Sequence, residues 1–242
     1  MNQQASVFTL GRDKPPLAAA TEEPPRTLFE ATYRQLRRDI IHGLYLPNDK
    51  LRVEHLKAVY KVSGGTLREA LALLVSDSLV VSQGQRGFRV APMSLADLQD
   101  LTRTRVLLEC ASLRESMAHG GDAWEAAVVS TFHRLSLSEE RLQADAAGAF
   151  DEWEARNREF HDALVSACPS PWLERLRSLL YQQTERYRRF TAVNGPPPGS
   201  VHEEHREIFE AAIQRNAERA VAAMELHINR ALTIIRSNEL LG

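Results

Sequence analysis

The sequence predicts a mainly α-helical protein, with a winged helix-turn-helix on the N-terminal side and an all-helical bundle behind it. Three observations support this fold class. Residues 63–74 read as a capped helix with one apolar face, two short apolar segments follow it, and no alternating strand pattern appears after residue 92. A length of 242 residues suits two domains better than one.

Composition divides the chain into three regions. Residues 1–25 contain two Pro-Pro pairs and an alanine run, a composition typical of a disordered arm. Residues 26–92 are the predicted winged helix-turn-helix domain, and residues 93–242 are the predicted helical domain. Pro92 closes the wing and Ser94 can cap the next helix, so the hinge between the domains is expected there.

The helix within residues 63–74 has the features of the second, reading helix of a helix-turn-helix. Ser63 can cap its N-terminus. Its apolar positions recur at i, i+3, i+4 and i+7 and comprise Leu67, Ala70, Leu71 and Leu74. Thr66 and Arg68 then face outward near the helix start, where a major-groove reader places its base-contacting side chains. The alternative for Arg68 is an ordinary charged residue on a surface helix.

The segments around this helix complete the motif. A helix is predicted at residues 28–42, ending before Gly43, and a shorter helix at residues 53–60. Beyond the reading helix, the apolar segments 79–81 and 88–90 are strand candidates on either side of a loop that contains two glycines. Together they predict a wing that follows the reading helix.

Three short motifs occur together in this region. They are Leu36-x3-Ile40-x2-Gly43-x3-Pro47-x3-Leu51, Val62-Ser63-x3-Leu67-Arg68-Glu69-Ala70-Leu71 and Gln85-Arg86-Gly87-Phe88-Arg89-Val90. Together they resemble the DNA-binding domain of the GntR family of bacterial regulators. The resemblance implies that Arg68, and Arg86 and Gly87 on the wing, contact double-stranded operator DNA. The alternative for Arg86, as for Arg68, is an ordinary surface arginine. The family usually has a basic residue after the capping serine, where this chain has Gly64, so one expected contact is missing.

Charge is distributed unevenly along the chain. Residues 26–92 hold 11 lysines and arginines against 6 acidic residues, whereas residues 93–242 hold 17 against 23. A basic front on an acidic body fits a protein whose N-terminal part meets phosphate groups. The two cysteines do not suggest a disulfide framework, and neither a signal peptide nor a membrane-spanning run is apparent. We therefore expect a cytoplasmic protein with no membrane partner.

The region after the hinge predicts six antiparallel helices around a possible interior cavity. They are expected at about residues 95–119, 122–144, 148–167, 171–191, 200–214 and 216–239. His161, His205 and His227 each fall on the apolar side of a helix. Three converging imidazoles would suit a divalent transition metal, although an inward histidine is also a common hydrogen-bonded core residue. His202, on the same helix as His205, is a rival ligand.

A second resemblance covers about residues 95–238. It is carried by Arg105-x-x-Leu108-Glu109, Asn157-x-x-Phe160-His161-x-x-Leu164, His205-x-x-Ile208-Phe209-x-Ala211-x4-Asn216 and Ala220-x6-His227. These motifs are similar to the FCD ligand-binding domain of the FadR branch of the GntR family. The resemblance implies that Asn157, His161, His205 and His227 bind a metal, with zinc expected first and nickel or manganese as alternatives. Asn157 stands where many members have aspartate, which makes the ligand set less anionic.

The same resemblance implies that Arg105 binds the carboxylate of a small effector. A pair with Glu109, one turn further along the helix, is the alternative role for this arginine. The expected function is a homodimeric transcriptional repressor released from its operator by an organic acid. One alternative is a DNA-binding protein with a purely structural metal and no effector. A metal-dependent enzyme is disfavoured, because no His-Glu-x-x-His pair, nucleophile elbow or phosphate-cradling loop is found.

Overall fold

The computed structural model describes residues 25–145, 148–195 and 201–241, so residues 1–24 of the predicted arm lie outside the described residues. The described elements confirm the mainly α-helical fold class. In chain order they are α1 (Leu28–Ile41), β1 (Lys50–Leu51), α2 (Val53–Val59), α3 (Gly64–Ser76), β2 (Val80–Ser82), a 3-10 turn (Gly84–Arg86), β3 (Phe88–Val90), α4 (Leu95–His119), α5 (Asp122–Ala144), α6 (Phe150–Val165), α7 (Pro171–Asn194), α8 (Val201–Ile213) and α9 (Ala217–Ser237).

Helices α1, α2 and α3 share one apolar core with a small antiparallel sheet of order β1-β3-β2. In the register of this sheet, Val80 lies opposite Val90 and Leu51 opposite Phe88. Strands β2 and β3 agree with the two predicted apolar segments. Strand β1 was not predicted, because its two residues are too few to show an alternating pattern.

The reading helix α3 forms for the reasons that its sequence indicates. Ser63 Oγ accepts a hydrogen bond from the Thr66 amide at 3.1 Å, a cap that contributes about 1 kcal/mol to helix stability. All four side chains of the predicted apolar stripe are fully buried, namely Leu67, Ala70, Leu71 and Leu74. Burying each leucine stabilises the domain by about 2 kcal/mol. The opposite side of α3 is left for solvent.

Helices α4 to α9 form the bundle, in which α4 packs against α6, α7 and α9, and α5 packs against α6 and α8. Their bounds differ from the predicted ones by at most three residues. The largest buried apolar side chains of this core include Leu113, Trp124, Leu135, Phe160, Ile208 and Met224. No helix in the described part of the chain combines the length and apolar content needed to cross a bilayer.

Helix α7 connects the bundle to the winged part of the chain. Arg186, which is buried, donates from Nη1 to the Ala91 carbonyl at 2.9 Å and from Nη2 to the Pro92 carbonyl at 2.8 Å. Gln183 donates from Nε2 to the carbonyl of Asp77, the residue that ends α3. One bundle helix therefore holds both the hinge and the C-terminal end of the reading helix.

Candidate functional site

The solvent-facing side of α3 is the first candidate site. Arg68 is exposed, and its Nη1 makes a long hydrogen bond of 3.4 Å to the Gly64 carbonyl. A Cβ placed on Gly64 would lie 3.4 Å from the Arg68 guanidinium, so the glycine leaves space beside this side chain. Thr66 is half-buried, and its hydroxyl lies 2.9 Å from Ser63 Oγ within the cap. Arg68 is therefore the more available of the two predicted contacts.

The wing carries the second pair of predicted DNA contacts. Arg86 is exposed at the end of the 3-10 turn. Gly87 follows with a φ of +87°, a conformation that glycine adopts without the strain of a Cβ. Arg89, to which the sequence assigned no separate role, donates from Nε to Gln83 Oε1 at 2.9 Å and from Nη1 to the Asn48 carbonyl at 2.8 Å. The bond to Asn48 ties the wing to the turn after α1, and the bond to Gln83 lies within the wing.

Three histidines from different helices meet inside the bundle and form the second candidate site. His161 lies on α6, His205 on α8 and His227 on α9, with one nitrogen of each within 4.8 Å of the others. The distances between ring centroids are 5.1 Å for His161 and His227, and 4.4 Å for His205 and His227. His161 and His205 are fully buried. The predicted convergence of the three imidazoles is therefore present in the fold.

Asn157 lies one helical turn before His161 and completes the predicted ligand set. Its Nδ2 donates to the Tyr181 hydroxyl at 2.7 Å, which leaves Oδ1 buried and without a partner among the described residues. Both ring nitrogens of His161 and Nε2 of His205 are likewise buried and unpartnered there. Each such atom costs about 1–3 kcal/mol if nothing completes it. Imidazole nitrogens and an amide oxygen are lone-pair donors, so this set fits a divalent cation.

Two carboxylates behind the histidines were missed in the sequence. His205 Nδ1 donates to Glu139 Oε1 at 2.5 Å, and His227 Nδ1 donates to Glu204 Oε2 at 3.0 Å. With Nδ1 as the donor, Nε2 of each ring is left as the lone-pair nitrogen, an arrangement common behind metal-binding histidines. The rival His202 donates to the same Glu139 at 2.7 Å and is not a member of the three-histidine group.

The pKa values of these groups follow from burial and neighbouring charge. Burial holds the pKa of His161 well below its ordinary value, and the adjacent His227 and His205 lower it further. Burial also lowers the pKa of His227 to about 4. Burial alone would raise the pKa of Glu139, but hydrogen bonds from His205 and His202 outweigh it and keep the pKa low. Neutral imidazoles beside a charged carboxylate are the protonation states that metal binding requires.

Once any metal is removed by a chelator, we expect the stability of the protein to fall as the pH drops from about 6.5 toward 4. The pKa of His227 is about 4 in the folded protein, against about 6.5 in an unfolded chain. Between these values the unfolded chain binds the extra proton, so acid favours unfolding, by up to about 3 kcal/mol for this residue. Thermal unfolding across this pH range measures the loss.

The matched comparison is between His227→Asn and His133→Asn, since His133 is exposed on α5. The first substitution should flatten the pH dependence of the melting temperature of the chelated protein, and the second should leave it unchanged. Equal slopes for the wild type and His227→Asn would contradict the expectation.

Arg105 is buried and lines a cavity that also reaches Asn157, which lies beside the three histidines. The predicted pair is present, with Nε 3.3 Å from Glu109 Oε1. Nη1 donates to Thr184 Oγ1 at 3.1 Å, and the guanidinium lies 4.7 Å from the centre of the Tyr181 ring. Arg105 therefore faces the cavity and contacts Glu109 at the same time, so the two predicted roles do not exclude each other.

The fold, with its reading helix turned to solvent, places the chain among helix-turn-helix transcriptional regulators. Comparison with protein families agrees. Residues 28–90 match the model for bacterial regulatory proteins of the gntR family, and residues 100–230 match the model for the FCD domain. The chain belongs to the GntR family and carries an FCD domain.

Individual relatives lead to the same class. The chain is 48% identical over 237 residues to the HTH-type transcriptional regulator BphR of Paraburkholderia xenovorans strain LB400, covering 97% of this chain and 96% of the relative. It is 36% identical over 210 residues to the HTH-type transcriptional repressor GlaR of Escherichia coli K12, covering 84% and 94%. These relatives are named regulators, which confirms the prediction of a DNA-binding regulator rather than an enzyme.

A solved structure shares the fold at lower identity. The Escherichia coli protein McbR/YncC superimposes with a TM-score of 0.70 at 18% identity, covering 88% of this chain and 99% of that chain. At this identity the likeness concerns the fold alone.

Proposed function

We propose that this regulator is a homodimeric repressor that leaves its operator when a small organic acid binds beside a divalent metal ion in the helical domain. The observation that carries the proposal is a group of buried oxygen and nitrogen atoms on Asn157, His161 and His205 that have no partner among the described residues, next to a cavity that Arg105 lines. The relative GlaR, which is named a repressor, supports the direction of the effect.

Asn157, His161, His205 and His227 would hold the ion. Zinc is the first candidate, with nickel or manganese as alternatives, since each of these ions accepts imidazole nitrogen. When bound, the ion would supply positive charge and an open coordination position for an anion. The asparagine amide adds no negative charge to this set, so the charge of the ion remains available to attract a carboxylate.

Arg105 is the proposed partner of the effector carboxylate. A guanidinium can form two parallel hydrogen bonds to a carboxylate, which fixes the orientation of the ligand as well as its position. Its present contact with Glu109 is 3.3 Å long, and such a contact leaves further donors of the five guanidinium N–H groups for a ligand.

The response would reach the DNA-binding part through α7. Thr184, which accepts from Arg105, is adjacent in the chain to Gln183, which holds the end of α3. Arg186, three residues after Gln183 on the same helix, donates to the hinge. An anion that draws Arg105 toward itself would therefore alter a helix that contacts the reading domain directly. Reciprocity of binding then requires that the effector and the operator change each other's affinity.

Replacing Arg186 with alanine should uncouple the two parts of the protein. The variant removes two hydrogen bonds from a charged donor to the Ala91 and Pro92 carbonyls, each worth about 1.5–3 kcal/mol. In calorimetry of the full-length protein, we expect one cooperative unfolding transition for the wild type and two separated transitions for the variant. The control is Arg175→Ala, which removes an exposed arginine of the same helix. An unchanged single transition in Arg186→Ala would show that this contact does not join the domains.

The homodimer is part of the proposal because two winged domains are needed to read the two halves of a palindromic operator. Large apolar side chains that are exposed on the bundle would form the interface between the two subunits; they include Leu107, Trp172 and Leu226. Sedimentation velocity should give twice the chain mass of 27.2 kDa.

The proposed function is tested by a mobility-shift titration with duplex DNA that the protein itself selects from a random library. A panel of organic acids is added to metal-loaded and to chelated protein. We expect at least one acid to weaken operator binding by about tenfold or more, a coupling typical of allosteric regulators, in the loaded protein only. If chelation lowers the melting temperature while no acid changes operator affinity, the metal has only a structural role.

A further inference from the structure

A cavity with a volume of about 70 Å³, open to solvent at its mouth, lies beside the three histidines. Asn157 and His227 line it on the side of the cluster. Most of the remaining wall is apolar and comprises Leu98, Leu142, Trp153, Val201, Ile228 and Ile234. Such a wall stabilises a ligand by removing its hydrocarbon surface from water.

The guanidinium groups that line this cavity already have carboxylate partners. The pairs are Arg105 with Glu109 at 3.3 Å, Arg188 with Glu154 at 2.9 Å and Arg230 with Glu204 at 2.5 Å. Within the described residues, the positive charge of each of these arginines is thus matched by a neighbouring negative charge. A bound divalent ion would bring two positive charges, of which the charged Glu139 behind His205 offsets one, so a single carboxylate on the ligand should bind in a metal-dependent way.

Three threonines line the wall, Thr102, Thr184 and Thr191, and the hydroxyls of two of them already donate to backbone carbonyls. Thr184 Oγ1 donates to the Tyr181 carbonyl at 2.8 Å, and Thr191 Oγ1 donates to the Arg188 carbonyl at 2.8 Å. A ligand rich in hydroxyl groups would find few free partners here, and each hydroxyl left unpaired would weaken binding by roughly tenfold.

We propose that the effector is a monocarboxylate with an apolar aryl or alkyl body, rather than a sugar acid or another polyhydroxy acid. This inference rests on the proposed function and specifies the class of ligand. The carboxylate lies toward the metal and Arg105, and the body lies along the wall formed by Trp153, Ile228 and Ile234. The apolar wall sets the preference among acids, and the metal sets the requirement for a carboxylate.

Isothermal titration of the zinc-loaded full-length protein tests the inference, with acetate, phenylacetate, hexanoate, gluconate and tartrate as the probes. We expect phenylacetate or hexanoate to bind at least about tenfold more tightly than acetate or gluconate, and to lose about tenfold or more after chelation. Tighter binding of gluconate or tartrate, or no gain of the apolar acids over acetate, would overturn the inference and leave the proposed function in place. If no acid binds, acetate included, the proposed function fails as well.

A variant that fills part of the cavity tests where the apolar body of the ligand lies. Ala231 lines the cavity on α9, so Ala231→Leu should weaken phenylacetate binding by about tenfold or more while acetate binding is unchanged. Ala222→Leu, at an exposed position of the same helix, is the matched control. If Ala231→Leu does not fold, Ile234→Ala removes wall surface instead and should weaken the apolar acids alone. Equal effects on acetate and phenylacetate would place the body elsewhere.

Discussion

Replacing Arg68 with alanine should lower the affinity of the protein for its selected operator by about 100-fold, since a bidentate arginine–guanine pair contributes about 1–3 kcal/mol and the proposed homodimer would carry two such pairs. Arg68 is exposed on α3, and its one described hydrogen bond within the protein is a long contact to Gly64. The melting temperature should therefore stay unchanged while DNA binding is lost. Mobility shift at fixed salt measures the affinity.

The control for Arg68→Ala is Arg103→Ala, which removes an exposed arginine of α4 that pairs with Asp100 on the same helix. This second variant should bind the operator as the wild type does. Wild-type affinity of Arg68→Ala would remove Arg68 from the DNA-reading surface.

Removing the metal should lower the melting temperature by roughly 10 °C. An ion present at 100 to 1,000 times its dissociation constant stabilises the folded chain by about 3–4 kcal/mol, and each kcal/mol corresponds to about 2–4 °C at this chain length. The proposed ion would stabilise the fold by completing buried oxygen and nitrogen atoms of Asn157, His161 and His205 that have no partner among the described residues. Thermal unfolding with and without chelator, followed by readdition of zinc, measures it.

Comparing His205→Ala with His202→Ala distinguishes a proposed metal ligand from a nearby histidine. Both imidazoles donate to Glu139, but only His205 belongs to the three-histidine group. Elemental analysis should find no metal in the first variant and a full complement in the second. The melting temperature of His205→Ala should no longer respond to chelator. Equal metal content in the two variants would refute this ligand set.

Local patterns in the sequence were sufficient to predict the reading helix and the inward direction of the histidines. The 3.6-residue period fixes which side chains share a face, so Leu67 and Leu71 are buried and Asn157 lies beside His161. The DNA contacts assigned to Arg68, Arg86 and Gly87 remain predictions, as do the metal and the effector.

Features that depend on contacts between distant elements could not be predicted in this way. Glu139 lies 66 residues before His205. Its spacing from Leu135 and Leu142 places it on the apolar side of α5, but the histidines that donate to it are identified only when α5 packs against α8. The same holds for Arg186, which is one of several arginines on α7 and is distinguished by the carbonyls that it reaches.

The contacts to the reading domain and much of the cavity wall lie on different helices, which has a consequence for how such regulators diverge. The side chains that grip the reading domain, Gln183 and Arg186, stand on α7, whereas much of the apolar cavity wall comes from other helices, with Leu98 on α4, Trp153 on α6 and Ile234 on α9. If the proposed effector binds in this cavity, substitutions in the wall would change which molecule is bound without altering the contacts of α7 with the reading domain. A lineage could then acquire a new ligand by changing a few wall residues while those contacts are inherited unchanged.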